Sequence, residues 1–472
     1  MLEVRIGRTA PAATATALPV SQGAVPDALR EAAAADGFTG SAGTTCEVLT
    51  GQGRHLLVGL GTTAPTQEAL RQAGARAAAA LIGVAHIALD ARALAAPLAA
   101  AFAAGACLRA WRFERLRTRT TEDTPKLAAV DLVTDMPDAV AAAWRHTSAG
   151  VQGALFARDL VAEPGNELTP QAFAARLQPL ARHGIAIGIL GQAELQRQGL
   201  GALLAVGQGS AHPPLMAVLR WKGRLKAPPV AFVGKGITFD TGGLCIKGAE
   251  GMENMRGDMA GAAAAAGALL ALALRNSPAP ALAVLPIAEN ATGAASYRPG
   301  DILRSFSGKT IEVVDTDAEG RLILADALAW TARQHKPRAM IDLATLTGSI
   351  VTALGHHHAG LFDNNATLAD QVAKAGTEVG EPAWRMPIGE THRQDLDSAI
   401  ADIRHCLSDR MQPDACHAAA FLRDFVAETP WAHLDIAGVA NRASADPLHA
   451  LGPSGFGVRL LDRLVATNFE AV

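Results

Sequence analysis

Short runs of strand-forming residues alternate with longer alanine- and leucine-rich runs through most of the chain, and this alternation restricts the fold more than any other feature. Strands are predicted at residues 55–58, 230–234, 281–286, 311–314 and 340–343, and helices at residues 260–274 and 322–334. Strands that alternate with helices are typical of α/β proteins whose sheet is largely parallel. The sequence therefore predicts an α/β fold with a central, mostly parallel sheet flanked by helices.

The length of 472 residues exceeds what one hydrophobic core usually fills, which favours two domains. A polar break rich in Thr, Arg, Glu and Asp at residues 118–125 precedes a strand-like run and then a helical run. We therefore predict a smaller N-terminal α/β domain over residues 1–138, a linking helix over residues 139–160, and a larger second domain over residues 161–472.

Composition indicates a cytoplasmic protein. The 5 cysteines are an odd number without CxxC spacing, which suits a reducing compartment. The N-terminal residues lack the pattern of a signal peptide, and the apolar runs at residues 94–108 and 259–274 are too short to span a membrane. A net charge of −3 with mixed signs provides no broad basic surface for nucleic acid. We therefore expect neither a membrane nor a nucleic-acid partner.

Two weaker motifs need weighing before the strongest one. Residues 307–310 (SGKT) resemble the end of a phosphate-binding loop, but the glycine required five positions before Gly308 is Leu303. The pairs His405-Cys406 and Cys416-His417 contain residue types that bind zinc, and spacing alone does not exclude them. A reduced cysteine packed beside a histidine is the commoner arrangement.

The strongest candidate site follows a predicted buried strand. Residues 233–243 (VGKGITFDTGG) form a glycine-rich loop that carries Lys235 and Asp240, and glycines allow the backbone to approach a ligand or an ion closely. Lys247 follows, and Asp258 stands at the start of an alanine-rich helix, where the helix dipole favours negative charge. This pattern indicates a site built from lysine and carboxylate groups.

A second segment, residues 315–321 (DTDAEGR), also joins a predicted strand to a helix. Asp317 and Glu319 are two apart, so both side chains point to one side of an extended stretch and can bind the same ion. Sites in open α/β sheets form at the carboxyl ends of the strands, where we expect the two segments to meet. There, with Asp240 and Asp258, four carboxylates would repel one another unless cations lay among them, and two divalent ions would balance them. Oxygen ligands suit zinc, manganese or magnesium.

The same residues also have a structural interpretation. Asp and Glu at strand-to-helix turns often cap helices, and nearby lysines often form exposed ion pairs. Arginine is much commoner than lysine in this chain, so finding Lys235 and Lys247 in one glycine-rich stretch favours a functional role.

The motifs VGKGITFDTGG, MRGDMAG and TDAEGRL resemble the signatures of the leucyl aminopeptidase (cytosol aminopeptidase) family, and their spacing is similar to that family's. Further similarity lies in ARDLV at residues 157–161, DLATLTGS at residues 342–349 and WAHLDIAG at residues 431–438. The resemblance extends from about Leu155 to the C-terminus. It implies a metal-dependent aminopeptidase that releases N-terminal amino acids, with a leucine-like preference, from peptides with a free N-terminus.

The resemblance also implies roles for individual residues. Five metal ligands are carried over by position: Lys235, Asp240, Asp258, Asp317 and Glu319. Two catalytic groups that bind no metal fall on Lys247, which stabilises the oxyanion, and on Arg321, which holds a bicarbonate that acts as general base. The substrate pocket is expected to include Met255, Thr345 and Leu346.

By the same resemblance we expect two divalent ions per subunit, zinc or manganese with magnesium as a further option, which activate the attacking water. The resemblance further implies a homohexamer of two stacked trimers whose active sites face an inner cavity.

The chain departs from the family pattern in four places. Asp315 stands where the family has asparagine, Thr241 where it has serine, and Gly248 where proline commonly follows the catalytic lysine. The segment at residues 406–416 also differs. Asp315 adds a negative charge near the expected metals, so metal preference and substrate range stay open.

Two other functions compete with this interpretation. A two-metal phosphoesterase also uses a carboxylate-rich cluster, although its motifs match less well. A non-catalytic or DNA-binding role, known for some members of the family, is disfavoured by the intact ligand set and the slightly acidic chain. Hydrolysis of an amino-acid amide, compared with that of a phosphate ester, distinguishes the two enzymes.

Overall fold

The computed structural model describes residues 2–51, 53–61, 64–118, 126–408 and 413–471. The chain forms two compact units, the first comprising Met1–Leu155 and Arg442–Gly452, the second Phe156–Asn441 and Pro453–Val472. The break between them falls within a long helix, Pro137–Ala162, which includes the predicted linking helix at 139–160. The polar break predicted at residues 118–125 lies outside the described residues except for residue 118. The predicted domain boundaries stay predictions.

The first unit contains one sheet with helices. Its strands are β1 Glu3–Gly7, β2 Ala15–Val20, β3 Thr45–Thr50, β4 Gly53–Gly59, β5 His86–Asp90 and β6 Ala129–Val133. Its helices are α1 Asp27–Ala35, α2 Gln67–Ala80 and α3 Ala96–Ala110, followed by α4 Pro137–Ala162. The strand order is β1-β6-β5-β2-β4-β3, and all neighbours pair in parallel except β3 with β4.

The second unit is larger. Its longer strands are β7 Ala186–Leu190, β8 Leu215–Trp221, β9 Val230–Gly234, β10 Gly236–Asp240, β11 Ala281–Asn290, β14 Ala339–Ala344, β15 Ala359–Asp363 and β18 Trp431–Asp435. Its shorter strands are β12 Ile302–Arg304, β13 Thr310–Glu312, β16 Ala383–Arg385 and β17 Ile403–Arg404. Two further short strands, β19 Asn441–Arg442 and β20 Gly452–Pro453, pair with each other, and each contains one residue from either unit.

The second unit also contains helices, several of which form at alanine- and leucine-rich runs. They are α5 Pro170–Leu177, α6 Gln192–Gln198, α7 Gly201–Gly207, α8 Ala260–Leu274, α9 Glu319–His335, α10 Gly348–Leu354, α11 Ala366–Val379, α12 Glu390–Gln394, α13 Asp414–Arg423 and α14 Val458–Asn468. The unit also has two 3₁₀ helices, Gln178–His183 directly after α5 and Met252–Gly257 shortly before α8.

The central sheet has the order β16-β15-β18-β14-β9-β11-β8-β7, and β10 also pairs with β11. Its middle strands β18, β14, β9 and β11 run parallel to one another. At one side β8 runs antiparallel to both of its neighbours, β11 and β7, and at the other side β15 runs antiparallel to β18. Helices cover it: Ala231 and Val233 of β9 share a hydrophobic cluster with Leu322 and Leu324 of α9, and α8 also packs against β9. The predicted α/β fold with a central, mostly parallel sheet is confirmed.

One predicted strand does not belong to the central sheet. The strand expected at residues 311–314 is present as β13, but it pairs with β12 and β17 in a separate sheet of three strands. The second candidate segment therefore follows a strand of this smaller sheet and not a strand of the central sheet.

The stretch Met252–Leu274, which includes α8, is long and apolar enough to resemble a membrane span. However, 89% of its most apolar window is buried within the fold. Helices that are hydrophobic on all sides occur in the cores of large globular proteins, and α8 is such a helix.

Helix α9 is held in place by a buried carboxylate. Oδ2 of Asp326 accepts the backbone N–H groups of Ala202 and Leu203 at the start of α7, both at 2.9 Å, and Oδ1 accepts that of Phe306 at 2.7 Å. Asp326 is fully buried, and burial raises the pKa of its carboxyl group to about 7. The side chain therefore ties α9 to α7 and to the loop before β13.

We predict that Asp326→Ala lowers the free energy of unfolding by about 3 kcal/mol, because two buried N–H donors and one half-buried N–H donor lose their acceptor. Urea unfolding measures the change. Asp402→Ala is the matched control, because exposed Asp402 accepts bonds from the backbone N–H and the hydroxyl of Thr310 that water can replace. An equal loss in both variants would contradict the role of burial.

Candidate active site

The candidate site lies where the parallel strands of the central sheet end. Because β9, β14, β18 and β11 run in the same direction, their carboxyl ends meet at one edge. Lys235 follows β9, Thr345 follows β14, Asp435 ends β18 and Asn290 ends β11. This edge is where ligands bind in open α/β sheets.

Lys235 is the centre of one half of the site. Its ammonium nitrogen lies 2.8 Å from Oδ2 of Asp258 and 2.8 Å from Oε1 of Glu319, and it donates a hydrogen bond of 2.8 Å to the carbonyl of Thr345. The hydroxyl of Thr345 in turn donates to Oδ1 of Asp258 at 2.7 Å. All three charged side chains are buried, so each depends on the others for compensation of its charge.

Lys247 is the centre of the other half. Its ammonium nitrogen lies 2.8 Å from Oδ2 of Asp240 and also donates to Oδ1 of Asp317. The other oxygen of Asp240 accepts the backbone N–H of Gly242 at 2.9 Å and the side-chain amide of Asn290 at 2.7 Å. These contacts fix the Asp240 carboxylate in one orientation.

Thr316 joins the glycine-rich loop to the second segment. Its hydroxyl donates to the carbonyl of Gly242 at 2.6 Å and accepts the backbone N–H of Cys245 at 2.8 Å. Its carbonyl accepts hydrogen bonds from the side chains of Asn290 and Tyr297 at 3.0 and 2.8 Å. The two segments that sequence analysis expected to meet are therefore held together.

Two glycines allow the helices to come this close. A Cβ atom at Gly261 in α8 would lie 2.0 Å from the carbonyl oxygen of Leu343 in β14. A Cβ atom at Gly320, in the first turn of α9, would lie 2.5 Å from Cε of Lys235. Neither position has room for a side chain unless its neighbours move, so both glycines set the depth of the site.

Burial and the repulsion between neighbouring carboxylates determine the pKa values of the acidic groups in the cluster. Burial raises the pKa values of Asp258, Asp317 and Glu319, and the neighbouring carboxylate of Asp240 raises them further. Burial alone would lower the pKa values of Lys235 and Lys247, but the surrounding carboxylates outweigh it and raise both. Four carboxylates thus face two ammonium groups, which leaves an excess of negative charge.

The donor set fits divalent cations. Carboxylate oxygens of Asp240, Asp317 and Glu319 lie within 4.8 Å of one another. Oε2 of Glu319 is buried and has no hydrogen-bond partner among the described residues, which is costly for a carboxylate unless a cation binds there. The cluster is therefore suited to bind metal.

A cavity of about 690 Å³ opens beside the cluster. Its wall includes Lys247 and Asp317 from the cluster, Leu346 from the loop after β14, and Arg321 from α9. The guanidinium of Arg321 is buried, donates to the carbonyl of His405 at 3.0 Å, and forms an ion pair of 2.8 Å with the carboxylate of Asp414. The cavity is therefore bordered by the Lys247 half of the cluster.

Of the three residues that the sequence predicted for the substrate pocket, one lines the cavity and two lie elsewhere in the site. Leu346 lines the cavity, whereas Thr345 contacts Lys235 and Asp258 directly, and Met255 lies in the 3₁₀ helix before Asp258. Asp435 holds the cavity wall, because its carboxylate accepts bonds from the backbone N–H of Leu346 and the hydroxyl of Thr347.

Two of the departures from the family pattern have definite contacts. Oδ1 of Asp315 accepts the backbone N–H of Asp317 at 2.9 Å, a bond that an asparagine oxygen would also accept. The hydroxyl of Thr241 donates to the carbonyl of Asn290 at 2.9 Å. Both residues therefore shape the backbone beside the cluster.

The alternative zinc site is not formed among the described residues. Burial lowers the pKa of His405 to about 4, so its ring is neutral, and its Nε2–H donates to the carbonyl of Asp315 at 2.8 Å. Nε2 of His417 lies 3.0 Å from Oδ2 of Asp395, and Cys416 packs in an apolar cluster. Sγ of Cys406 lies 3.7 Å from Nε2 of His405, and these histidines and cysteines form no metal-binding group among the described residues.

Sequence analysis missed three residues of the site. Asn290, Tyr297 and Asp414 lie outside the segments that carry the motifs. Asn290 ends a strand whose neighbours also end at the site, which is a signal that the strand pattern contains. For Tyr297 and Asp414 no comparable signal exists, because their contacts depend on long-range folding.

A cluster of carboxylates and lysines beside a cavity, at the carboxyl edge of a parallel sheet, fits the class of metal-dependent hydrolases. Comparison with known proteins identifies the family. Residues 155–462 match the cytosol aminopeptidase family, catalytic domain, and residues 9–120 match the N-terminal domain of the same family. The chain belongs to the cytosol aminopeptidase family, as its motifs predicted, and it is a metal-dependent aminopeptidase.

Individual relatives agree. The chain is 45% identical over 455 residues to a probable cytosol aminopeptidase of Nitrobacter winogradskyi, which covers 94% of this chain and 91% of the relative. A probable cytosol aminopeptidase of Rhizobium meliloti is 45% identical over 457 residues, covering 94% and 92%.

Two solved structures are similar over nearly the whole chain. The bottromycin maturation enzyme BotP in complex with Mn is 35% identical with a TM-score of 0.88, covering 96% of this chain and 99% of that one. A tomato leucine aminopeptidase mutant is 31% identical with a TM-score of 0.88, covering 99% and 97%.

We predict that a chelator abolishes peptidase activity and lowers Tm, and that zinc or manganese restores both, because cations relieve the repulsion within the cluster. At 100-fold excess over Kd, a metal adds about 2.7 kcal/mol of stability. Glu319→Gln should reduce the metal-induced rise in Tm. Glu250→Gln, at an exposed position, is the control and should leave it unchanged. Full activity in metal-free protein would contradict the prediction.

Proposed function

We propose that this aminopeptidase uses two divalent ions, zinc or manganese, to hydrolyse the first peptide bond of peptides with a free N-terminus. The observation that carries the proposal is the cluster of Asp240, Asp258, Asp317 and Glu319, whose charge two lysines compensate only in part. The manganese bound in the structure of BotP supports this choice of metal.

The proposed ligands are Lys235, Asp240, Asp258, Asp317 and Glu319. Ions held by them would polarise the scissile carbonyl and lower the pKa of a water molecule. To become a ligand, Lys235 must release the proton that its carboxylate neighbours now stabilise, so metal binding and proton release are coupled at Nζ.

Lys247 has a separate proposed role. The carboxylates around it raise its pKa, so it carries a positive charge at neutral pH. Its side chain is 22% exposed and lines the cavity, unlike the buried Lys235. An ammonium group in that position stabilises the negative charge that develops on the carbonyl oxygen of the substrate.

The cavity supports a leucine-like preference. Leu346, Ala353 and Leu407 contribute apolar surface to its wall, where the first side chain of a peptide would be buried. Arg321 is the proposed anion-binding residue, for which the family resemblance supplies bicarbonate as the expected ligand.

We extend the proposal to assembly and location. The family resemblance supports a homohexamer. A cytoplasmic location is supported by the names of the relatives and by the cysteines, which form no disulfide among the described residues.

We predict that Lys247→Ala lowers kcat about 100-fold or more while both ions stay bound, because removal of one oxyanion donor commonly has that effect. Metal content per subunit is measured alongside kcat. Lys309→Ala is the matched control, since Lys309 forms an ion pair with Asp424 away from the cluster. A parallel loss of metal and activity would instead indicate that Lys247 is needed for metal binding.

We predict that leucine amide is hydrolysed and N-acetyl-leucine amide is not. A free α-amine fixes which bond is cut, and acetylation removes its basic lone pair and adds bulk, so the positioning of the substrate is lost. That loss is worth several kcal/mol. Comparable kcat/KM values for both substrates would contradict the proposal. Faster hydrolysis of a phosphate ester than of leucine amide would favour a phosphoesterase.

A further inference from the structure

Asn290, the last residue of β11, is fully buried beside the metal cluster but is not one of the proposed ligands or catalytic groups. It is the partner of Asp240 in the ladder between β10 and β11, which brings the two residues side by side. A polar side chain that is removed from water needs hydrogen-bond partners. The contacts of its amide therefore indicate what Asn290 contributes to the site.

The amide nitrogen of Asn290 donates to both segments that carry the cluster. One bond of 2.7 Å reaches Oδ1 of Asp240, and another of 3.0 Å reaches the backbone carbonyl of Thr316, the residue before Asp317. An asparagine side chain has two N–H donors, and both are used here. One side chain thus connects the segments of two proposed ligands that are distant in sequence.

The orientation of this amide follows from its neighbours. If its nitrogen and oxygen exchanged places, Oδ1 would face a carboxylate oxygen and a carbonyl oxygen, neither of which donates a hydrogen. As it stands, Oδ1 of Asn290 is buried and has no hydrogen-bond partner among the described residues. An unpaired buried acceptor is costly, so asparagine stabilises the site through its two donors and not through its oxygen.

Two further residues hold this arrangement in place. The buried hydroxyl of Tyr297 donates to the same carbonyl of Thr316 at 2.8 Å. A Cβ atom at Gly243 would lie 3.1 Å from Oδ1 of Asn290, so the glycine-rich loop packs closely against the amide. The Thr316 carbonyl is therefore held by two buried donors, one of which also holds Asp240.

We propose that Asn290 is a positioning residue that sets the distance between the carboxylates of Asp240 and Asp317 and thereby determines how tightly the cluster binds its metal ions. This inference rests on the proposed two-metal function. The amide of Asn290 and the backbone N–H of Gly242 together occupy Oδ1 of Asp240. They leave Oδ2, the oxygen that contacts Lys247, as the one that a cation would bind.

Positioning of this kind affects affinity because the two carboxylates repel each other. The charge of Asp240 raises the pKa of Asp317, which is a direct sign of that repulsion. The amide holds both segments in place before any ion binds, so less freedom is lost on binding. Removal of a partner that orients a metal ligand commonly lowers metal affinity about 10- to 100-fold.

The test measures the Kd for manganese by calorimetric titration of metal-depleted wild type, Asn290→Leu and Tyr297→Phe. Leucine is close to asparagine in size but donates no hydrogen bond, and Tyr297→Phe removes only one donor from the Thr316 carbonyl. The matched control is Asn364→Leu, because the amide of Asn364 donates to the carbonyl of Thr429 at 3.0 Å, before the start of β18 and at the opposite end of that strand from the site. Tm of each metal-free variant is recorded beside Kd.

We expect the Kd of Asn290→Leu to rise about 10- to 100-fold. The Kd of Tyr297→Phe should rise less, because the bond from Asn290 to Asp240 stays intact. Asn364→Leu should lower Tm but bind manganese like wild type, since a contribution to folding alone does not change the affinity of the folded protein for metal.

The inference is overturned if Asn290→Leu binds manganese as tightly as wild type, or if Asn364→Leu loses as much affinity as Asn290→Leu. Where Asn290→Leu does not fold, Tyr297→Phe decides, because an unchanged Kd there would show that the hold on the Thr316 carbonyl has no effect on metal binding. A wild type that binds manganese but hydrolyses no leucine amide would instead refute the proposed function. The Kd comparison would still test Asn290 in that case, because it requires no turnover.

Discussion

The pairing of two lysines with four carboxylates, most of them buried, is the interaction on which the rest of the site depends. A carboxylate removed from water is costly unless an opposite charge lies within contact distance. Lys235 bridges Asp258 and Glu319, and Lys247 bridges Asp240 and Asp317, so each lysine joins two chain segments that are distant in sequence. The parallel strands supply the edge at which these segments meet, and Gly261 and Gly320 supply the space.

The same pairing makes the site responsive to metal. The lysines stabilise the carboxylates but do not neutralise them all, and Oε2 of Glu319 has no hydrogen-bond partner among the described residues. A divalent cation adds positive charge beside carboxylates that the two lysines leave without a counter-charge. Because Lys235 donates to both Asp258 and Glu319 as an ammonium, a cation that binds those oxygens competes with its proton. Proton loss at Lys235 and metal binding therefore favour each other.

The residues that the sequence predicted for the site, and that the structure brings together, are those encoded locally. Lys235, Asp240 and Asp258 follow strands or precede helices whose periodicity is visible in the chain, and TDAEGRL identified Asp317 and Glu319 together. What the sequence did not predict depends on pairing between distant segments. Strand β13 was predicted, but its partners β12 and β17 were not, since strand pairing is non-local. For the same reason nothing in the sequence links Asp414 to Arg321, which lies 93 positions away.

Two departures from the family pattern act in the same electrostatic direction. Asp315 replaces an amide by a carboxylate beside Asp317, and Asp414 brings a carboxylate to the wall of the same cavity. Each adds negative charge near the cluster, which strengthens the attraction for cations and weakens it for free anions.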